Sequence, residues 1–571
     1  MTGVNSQIAF PTLTREQLSR LGPYGEEQVT SEGELLFKQG DECAKFFVVL
    51  EGRVELVDAS RSPPQVLVEH GAGGFIGEDS LLSGQPVLVT GRVKEAGRVL
   101  TISLERLREI IVVLPDLSDL IINAFLLRHD FLRAEAALGL RIIGSRYSRD
   151  TLRLREFALR NHLPHTWVDL DRNSGAERML CVLGIPPEKT PIAIWQGREV
   201  CCNPSIAELA ELVGLDVRHG DGELLDLVVV GAGPAGLAAA INAASEGLRV
   251  VMVEAASVGG QAGTTSKIEN YLGFPSGISG SDLATRAQLQ AEKFGASIRA
   301  SSEVVGLRCE GNLYVVELFD GSELTSRGII LATGTHNRRL PVPRLEAFEG
   351  AGVYYEATDT EAALYRDQAV AIVGGGNSAG QAAVFMSERA RRVCLLVRGG
   401  ELARGMSRYL VSRIERTPNI EVRPHVEVVE LHGEGCLTGL QVRDNRKGQA
   451  CKLPARALFV FTGTEPRTDW MRGRLALDDH GFILTGPELP RALDPARGWV
   501  LGTREPQALE TSLPGVFAAG DVRGGSTKRV ATAVGEGAVA VLLARHYLAT
   551  MAREHRAPAP VWREERMRVG T

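Results

Sequence analysis

The chain has 571 residues, 44% of them hydrophobic and 23% charged, which is enough for about four domains with separate cores. Its formal net charge of −6 gives no basic footprint for nucleic acid. Residues 1–11 lack the features of a signal peptide, and no apolar run reaches the roughly 18 residues of a spanning helix. The eight cysteines are scattered and form no CxxC pair, which favours a reducing, cytoplasmic location.

The first 138 residues are predicted to form short strands followed by two helices. Glycine turns separate the expected strands, which are 34–38, 45–50, 52–58, 66–69 and 99–103. The helices are expected at 104–113 and 117–138. Short antiparallel strands at this spacing favour a small β-barrel or sandwich.

Residues 139–218 are predicted to form a separate, compact α/β unit. Its expected order is β-α-β-α-β-β-α, with strands at 140–143, 165–169, 191–195 and 199–202 and helices at 151–161, 175–183 and 205–213. Residues 219–222 are a plausible linker. From residue 224 onward, strands alternate with glycine-rich turns and helices, which is typical of doubly wound parallel sheets.

Residues 227–255 carry the first strong motif, in which an apolar strand leads directly into a glycine loop and a helix. Gly231 suits the tight turn, Gly233 the close approach of a pyrophosphate, and Gly236 the packing of helix on strand. The second strand ends at Glu254, which is placed to accept hydrogen bonds from a ribose. A lone GxGxxG is a weak signal, but these parts in register predict a dinucleotide site.

A second copy of this pattern lies at residues 368–398, where Gly374, Gly376 and Ala379 take the three loop positions. Its second strand ends at Arg398, with no competing acid. Because an arginine suits the 2′-phosphate of NADPH, this strand end favours NADPH over NADH. A solvated residue at the end of a strand is the alternative interpretation of Arg398.

Two dinucleotide folds in one chain indicate a flavin on the first and a nicotinamide on the second, and two later segments fit that. Residues 328–334 form an apolar strand with a small turn, suited to a chain crossing between domains. Residues 516–540 form a strand that reaches Gly520 and Asp521 before a helix. Asp521 is a candidate hydrogen-bond partner of the ribityl chain. The helix N-terminus near residues 527–532 is a candidate for stabilising negative charge on reduced flavin. Asp521 as a simple helix cap is the alternative.

Residues 223–548 resemble the low-molecular-weight thioredoxin reductase family in the motifs GAGPAG (231–236), GGQ (259–261), IENYLGFP (268–275), ATG (332–334), GGGNSA (374–379) and GDV with TAVGEGAVA (520–540). The resemblance implies an FAD domain in two parts (223–336 and 464–548), an inserted NADPH domain (337–463), a tail (549–571), a homodimer and hydride transfer from NADPH to flavin. The residues that it assigns to FAD are Gly231, Gly233, Pro234, Ala235, Gly236, Glu254, Gly260, Gln261, Asn270, Ala332, Thr333, Gly334, Gly520, Asp521, Arg529, Val530 and Ala531. Those that it assigns to NAD(P)H are Gly374, Gly376, Asn377, Ser378, Ala379, Arg398 and Arg404.

The chain departs from that family at the position of the family's redox-active CxxC, shortly before the second glycine loop. The two cysteine positions fall on Ala357 and Thr360, or, with a shift of one residue, on Glu356 and Asp359. Since thiol–disulfide exchange needs two thiols, this segment offers no such route. Glu356 and Asp359 are candidates for proton transfer to a quinone-type acceptor, and a solvated polar loop is the alternative.

The family's His-Arg-Arg motif for the 2′-phosphate is also altered, to Leu396-Val397-Arg398. Arg404 and Arg408 downstream are candidate substitutes. NADPH therefore remains the expected nicotinamide cofactor, with NADH as the alternative.

Residues 30–130 resemble the cyclic-nucleotide-binding fold. Residues 71–90 match its phosphate cassette, with Gly77 and Glu78 in place, and Glu78 would accept from the ribose hydroxyl. The arginine that neutralises the cyclic phosphate in that fold is Val87 here. Because a buried phosphate loses its charge partner, a structural, interaction or altered-ligand role is favoured over ordinary cyclic nucleotide binding.

Residues 139–216 resemble a glutaredoxin or thioredoxin fold. The usual CPYC is replaced by residues 145–148, Ser-Arg-Tyr-Ser, while Thr190-Pro191 occupies the loop where that fold carries a cis-proline. Serine cannot form a disulfide, so the unit is expected to be redox-inactive and to serve in dimerisation or docking.

The favoured interpretation is a multidomain α/β enzyme that passes electrons from NADPH through FAD to an acceptor other than an internal disulfide. The candidate acceptors are a ferredoxin, a flavodoxin, a quinone, oxygen and the disulfide of a thioredoxin-like partner. Two alternatives remain, a reductase that retains only diaphorase activity and a redox or nucleotide sensor that signals through its N-terminal domains. No metal site, nucleic-acid partner or membrane partner is expected.

Overall fold

The structure is a computed structural model that describes residues 10–39, 41, 45–58, 64–77, 87, 89–135, 140–161, 163, 165–172, 180, 185–195, 199–213, 222–265, 267–489 and 505–554. Several predictions lie outside the described residues, namely those on Glu78, Cys43, Cys181, most of the helix at 175–183, the linker at 219–221 and the tail beyond 554.

The described strands of the N-terminal domain join in one six-stranded sheet. They are β1 (Glu26–Thr30), β2 (Leu35–Phe37), β3 (Lys45–Asp58), β4 (Gln65–His70), β5 (Phe75–Ile76) and β6 (Thr90–Ser103). Their order is β1-β6-β3-β4, with β2 on β6 and β5 on β3, and these pairings do not show the predicted barrel. The prediction of two strands at 45–50 and 52–58 is wrong, because Gly52, at φ +84°, lies at a register irregularity inside one continuous strand.

Three helices flank this sheet, α1 (Arg15–Leu21), α2 (Leu104–Val113) and α3 (Pro115–Glu135). The second was predicted with these bounds, whereas α1 and strand β1 were missed. A capping box, in which Thr14 and Gln17 exchange hydrogen bonds, starts α1 and was the available sequence signal.

The α/β unit, here residues 140–213, has a four-stranded sheet in the order β10-β9-β7-β8. Its strands are β7 (Leu140–Gly144), β8 (His165–Asp169), β9 (Ile192–Trp195) and β10 (Glu199–Cys202), and its described helices are α4 (Arg149–Arg160) and α5 (Ile206–Leu212). The Thr190–Pro191 peptide is cis.

The outer domain, here residues 223–336 and 464–548, has a seven-stranded sheet in the order β13-β12-β11-β16-β15-β14, with β27 on β16. Its strands are β11 (Leu224–Val230), β12 (Val250–Val253), β13 (Ser297–Arg299), β14 (Val304–Glu310), β15 (Leu313–Leu318), β16 (Glu323–Leu331) and β27 (Val516–Ala518). Its helices are α6 (Pro234–Ser245), α7 (Gly260–Gly263), α8 (Gly280–Lys293) and α13 (Val530–Glu554). Small side chains such as Ala240 and Ala540 form the core between α6 and α13, so these two helices can approach closely.

The inserted domain, here residues 337–463, has a five-stranded parallel sheet in the order β18-β25-β19-β20-β21 and a three-stranded antiparallel sheet, β22-β23-β24. Its strands are β18 (Val353–Tyr354), β19 (Ala369–Val373), β20 (Arg392–Val397), β21 (Ile420–Pro424), β22 (Val426–Glu434), β23 (Cys436–Asp444), β24 (Ala450–Pro454) and β25 (Ala457–Val460). Its helices are α9 (Leu345–Phe348), α10 (Asp359–Leu364), α11 (Asn377–Ser387) and α12 (Arg408–Arg416).

Two short strands, β17 (Thr335–Asn337) and β26 (Thr464–Pro466), pair antiparallel where the chain crosses between the outer and inserted domains. This pairing fits the crossing predicted after residues 328–334. None of the described helices is both long and apolar enough to cross a bilayer.

Candidate functional site

Both glycine loops open into one continuous cleft of about 1810 Å³ between the outer and inserted domains. Thirteen of the residues predicted for FAD line it, namely Gly233, Pro234, Ala235, Glu254, Gly260, Gln261, Asn270, Ala332, Thr333, Gly334, Asp521, Arg529 and Val530. All seven residues predicted for NAD(P)H line it as well, namely Gly374, Gly376, Asn377, Ser378, Ala379, Arg398 and Arg404. Among the described residues, four predicted ones lie outside this lining, namely Gly231, Gly236, Gly520 and Ala531.

In the first loop, a different steric feature of the structure accounts for the glycine at each of the three positions. Gly231 has φ +104°, and a Cβ built on it would lie 2.3 Å from the carbonyl oxygen of Ala332. A Cβ on Gly236 would lie 1.8 Å from the oxygen of Gly231, so the helix can pack here only on a glycine. Gly233 instead has open space at this position, on the cleft side, where a ligand can approach. The turn and the helix packing therefore require Gly231 and Gly236, and Gly233 leaves the backbone accessible from the cleft.

The helices that follow the two loops begin without a side-chain cap. The N-cap residues are Gly233 for α6 and Gly376 for α11, and neither supplies a capping hydrogen bond. The first N–H groups of each helix are therefore available to a ligand, and the positive end of the helix dipole favours an anion. This donor set fits a pyrophosphate at each loop.

Glu254 lies at the end of β12 and is 8% exposed. One carboxylate oxygen accepts the N–H of Ala232 at 2.8 Å, and the other accepts the N–H of Ala256 at 3.0 Å. These two bonds fix the side chain in the cleft wall, and each oxygen retains acceptor capacity for a ribose hydroxyl.

The second loop repeats this arrangement with a different strand end. Gly374 has φ +148°, and a Cβ on it would lie 2.4 Å from the oxygen of Phe461, whereas the nearest atom to a Cβ on Gly376 is 3.9 Å away. Asn377 accepts the N–H of Ser407 at 2.7 Å, which anchors the segment that carries Arg404. Arg398 and Arg404 are exposed in the cleft wall, and Arg404 lies 3.8 Å from Glu401.

Residues 520–530 complete the cleft on the side of the outer domain. Strand β27 ends at Ala518, two residues earlier than predicted, and a short 3-10 turn places Asp521 in the lining. Burial raises the pKa of Asp521, while the positive charge of Lys528 opposes that shift. Lys528 was missed from the sequence; it lines the cleft, and its Nζ donates to the Thr464 hydroxyl at 3.0 Å.

The segment at the dithiol positions forms the start of helix α10. Glu356 lines the cleft, and Ala357 packs against the core of the inserted domain. Glu361, which the sequence analysis missed, is 3% exposed and accepts the N–H of Thr358 at 2.8 Å. Its burial raises its pKa. A threonine followed three residues later by glutamate was the available signal for this capped turn. Asp359 and Thr360 are the first two residues of α10.

The described cysteines contribute no redox pair to the cleft. Cys201, Cys202, Cys309, Cys394, Cys436 and Cys451 are all free. Cys201 and Cys202 lie in strand β10 of the α/β unit, as predicted. Within the described part of the chain, no group of three or more histidine, cysteine or acidic side chains is arranged to hold a metal ion.

Two glycine loops at the ends of parallel strands, open to one cleft, define an oxidoreductase with two dinucleotide sites. Residues 225–537, more than half of the chain, match the pyridine nucleotide-disulphide oxidoreductase family, and the chain belongs to that family. It is an NAD(P)H-dependent flavoprotein reductase of the thioredoxin reductase type. The predicted cofactors, FAD and NADPH, are those of this family.

The chain is 34% identical over 339 residues to thioredoxin reductase from Streptomyces clavuligerus, covering 59% of this chain and 98% of the relative. It is 34% identical over 335 residues to NADPH-dependent thioredoxin reductase 3 from Arabidopsis thaliana, covering 57% of this chain and 59% of the relative. The structure of T. acidophilum thioredoxin reductase superposes with a TM-score of 0.51 at 29% identity, covering 57% of this chain and 99% of that one. Residues 27–112 match the cyclic nucleotide-binding domain family.

Proposed function

We propose that the protein passes electrons from NADPH through FAD to an external acceptor, with no internal dithiol as relay. One observation carries this proposal: both glycine loops open into a single cleft, while neither register of the expected cysteine positions, Ala357 with Thr360 or Glu356 with Asp359, holds a sulfur. When bound, FAD takes up a hydride from NADPH and hands the electrons on. The candidate acceptors are a ferredoxin, a flavodoxin, a quinone and a partner disulfide.

The chain's own residues supply binding and orientation. The N–H groups that start α6 would hold the FAD pyrophosphate, Glu254 a ribose, and Asp521 the ribityl chain. The N-terminus of α13 at Val530 presents its positive dipole end to the cleft, where it favours negative charge. Lys528 adds a positive charge on the same side, although its burial lowers its pKa.

For the nicotinamide cofactor, the uncapped start of α11 would hold the pyrophosphate of NADPH. Arg398 and Arg404 would pair with its 2′-phosphate. Arg408 is the first residue of α12 and is not among the described residues that line the cleft, so we assign it no part in this site. A homodimer in the cytoplasm is the expected state, by resemblance to the family.

A sensor is the second candidate, and the match of residues 27–112 to cyclic nucleotide-binding domains favours it. Against ordinary binding of these ligands, Val87 is 3% exposed and packs in the apolar core, at the position where that fold has an arginine. Titration of the full protein with cyclic AMP and cyclic GMP tests this point. Micromolar binding would show that the domain recognises the phosphate by other residues.

Anaerobic stopped-flow mixing of the FAD-loaded protein with NADPH, and separately with NADH, tests the proposed reductase. Rapid bleaching of the flavin absorbance, faster with NADPH, is the expected result. Flavin that stays oxidised although both ligands bind would contradict the proposal and favour the sensor. Turnover of Glu356→Ala and Asp359→Ala with a quinone then tests proton transfer, and unchanged rates would exclude it.

A further inference from the structure

Two stretches in which the sequence lacks the expected sulfurs lie in units that pack against each other in the structure. Helix α4 begins at Arg149, directly after residues 145–148 of the α/β unit, and it lies against residues 349–365 of the inserted domain. Leu152 of this helix belongs to the same apolar cluster as Tyr354 and Ala362. The α/β unit thus packs against residues on both sides of the segment that replaces the dithiol.

The contact is close at the level of the backbone. A Cβ built on Gly350 would lie 3.1 Å from Cδ2 of Leu152 and 3.5 Å from Cα of Arg149. Arg149 also lies 3.8 Å from the carboxylate of Glu349. Gly350 has φ +80°, a conformation that favours glycine, so both the turn and the approach of α4 suit this residue.

The next turn of α4 brings opposite charges together across the contact. Arg155 is 9% exposed and lies 3.9 Å from the centre of the Trp167 ring. Burial lowers the pKa of Arg155, and the negative charge of Glu361 in the inserted domain opposes that shift. Glu361 is itself 3% exposed. These two buried groups therefore interact across the contact.

The far end of the same helix reaches the outer domain. The Asn161 amide donates to the carbonyl oxygen of Ala256 at 3.4 Å, two residues after Glu254. Helix α4 therefore spans from the inserted domain to the outer domain. Its residues Arg149, Asp150, Leu152, Arg153 and Glu156 form one wall of the nucleotide cleft.

We propose that the α/β unit is packed on the surface around helix α10 and remains packed there throughout turnover. A protein partner of standard interface size needs about 800 Å² of free surface, so none can dock where α4 packs while the unit stays in place. The inference rests on the proposed reductase activity, and a short-chain quinone serves as the electron acceptor in its test. In the overall reaction, NADPH and one proton reduce the quinone to the hydroquinone and leave NADP⁺.

A designed cross-link tests whether the unit stays seated. A Cβ on Gly350 would lie 3.9 Å from the Cβ of Arg149, within the range of disulfides, so Arg149→Cys/Gly350→Cys should form a bond on mild oxidation. Peptide mass spectrometry, before and after turnover, measures the bond. Flavin reduction by NADPH and quinone turnover are compared in the oxidised and reduced forms of this variant, with Gly350→Cys alone as the control.

We expect a complete cross-link and rates that agree within about twofold between the two forms, since a permanent contact costs no motion when locked. Failure of the cross-link in folded protein, or a drop in quinone turnover of tenfold or more that reduction reverses, would overturn the proposal. Failure of flavin reduction in the unaltered protein would instead contradict the reductase activity itself.

Because a cysteine at Gly350 is strained, a second variant leaves that residue unchanged. Leu152→Asp places a charge in the apolar contact, and Leu152→Met is its volume-matched control. Hydrogen exchange over residues 354–365 should accelerate at least about tenfold in the first and stay unchanged in the second. Equal protection in both variants would show that α4 does not hold this segment.

Discussion

Glu536 and Arg523 form an ion pair at 2.8 Å that joins helix α13 to the turn after strand β27. The two side chains are only 12% and 16% exposed. The other carboxylate oxygen of Glu536 accepts the N–H of Gly520 at 2.8 Å. One acid on the helix thus holds the turn that places Asp521 in the cleft.

Replacing Glu536 by alanine removes both bonds and leaves Arg523 without its nearest acid. We expect a loss of about 2–3 kcal/mol in the free energy of unfolding and a lower FAD content after purification. Glu246→Ala is the matched control, because its pair with Arg545 is exposed and should contribute less than about 1 kcal/mol. Denaturant unfolding with flavin absorbance measures both, and equal losses would refute the structural role of Glu536.

Two neighbouring glycines should respond to alanine in opposite ways. At Gly236 the added methyl group would lie 1.8 Å from a backbone oxygen, so Gly236→Ala should destabilise the protein whether or not FAD is present. At Gly233 the methyl group meets open space, so the apoprotein should keep its melting temperature. Its FAD affinity should nevertheless fall at least about tenfold, because the methyl group stands where the pyrophosphate approaches.

Thermal unfolding of the apoproteins and FAD titration separate these two effects. Gly22→Ala is the control, since nothing lies within 4 Å of its added Cβ and it belongs to the N-terminal domain, outside the lining of the cleft. Unchanged FAD affinity in Gly233→Ala would show that the flavin pyrophosphate lies elsewhere.

The choice between NADPH and NADH should depend on Arg398. Its removal in Arg398→Ala takes away a charge partner of the 2′-phosphate, so the apparent KM for NADPH should rise about tenfold. The KM for NADH should stay the same. Arg416→Ala, an exposed arginine at the end of α12, is the control, and steady-state rates with both nucleotides measure the effect. An equal change for NADPH and NADH would argue against a phosphate contact.

The N-terminal domain should lose stability in mild acid because of His70. This residue is 4% exposed, and burial together with the charge of Arg128 lowers its pKa to about 3. The unfolded chain binds this proton near pH 6.5, so stability is complete above that pH and declines as the pH falls toward 3. At pH 5 the expected loss is about 2 kcal/mol relative to neutral pH.

Hydrogen exchange of strand β3 at pH 7.5 and pH 5, corrected for the intrinsic rates, measures this loss. In His70→Gln the loss of stability between pH 7.5 and pH 5 should be smaller by about 2 kcal/mol. His546→Gln, at an exposed position, should behave like the unaltered protein. The same dependence in all three proteins would assign it to other groups.

Much of the cleft could be predicted because its signals are local. The strand Val250–Val253 and the glycines on either side of Pro234 follow from a short run of sequence whose spacing fixes the turn, the helix start and the strand end. Lys528 and Glu361 were missed because their positions depend on which distant segments pack beside them.

The same reason explains the errors in the N-terminal domain and the missed contact of α4. Glycine is typical of turns, yet strand β3 continues through Gly52 because it pairs with β6 on both sides of this residue. Arg155 and Glu361 are separated by two hundred residues, and nothing in the pattern around either one indicates the other.

The paired strands β17 and β26 have a consequence for how this architecture is assembled. They place the entry and the exit of the inserted domain side by side, at Thr335–Asn337 and Thr464–Pro466. A segment whose ends are adjacent can be inserted or deleted without changing the path of the chain in the outer domain. Joining the two strands by a short hairpin turn should therefore yield a self-contained unit that keeps the first glycine loop and lacks the second.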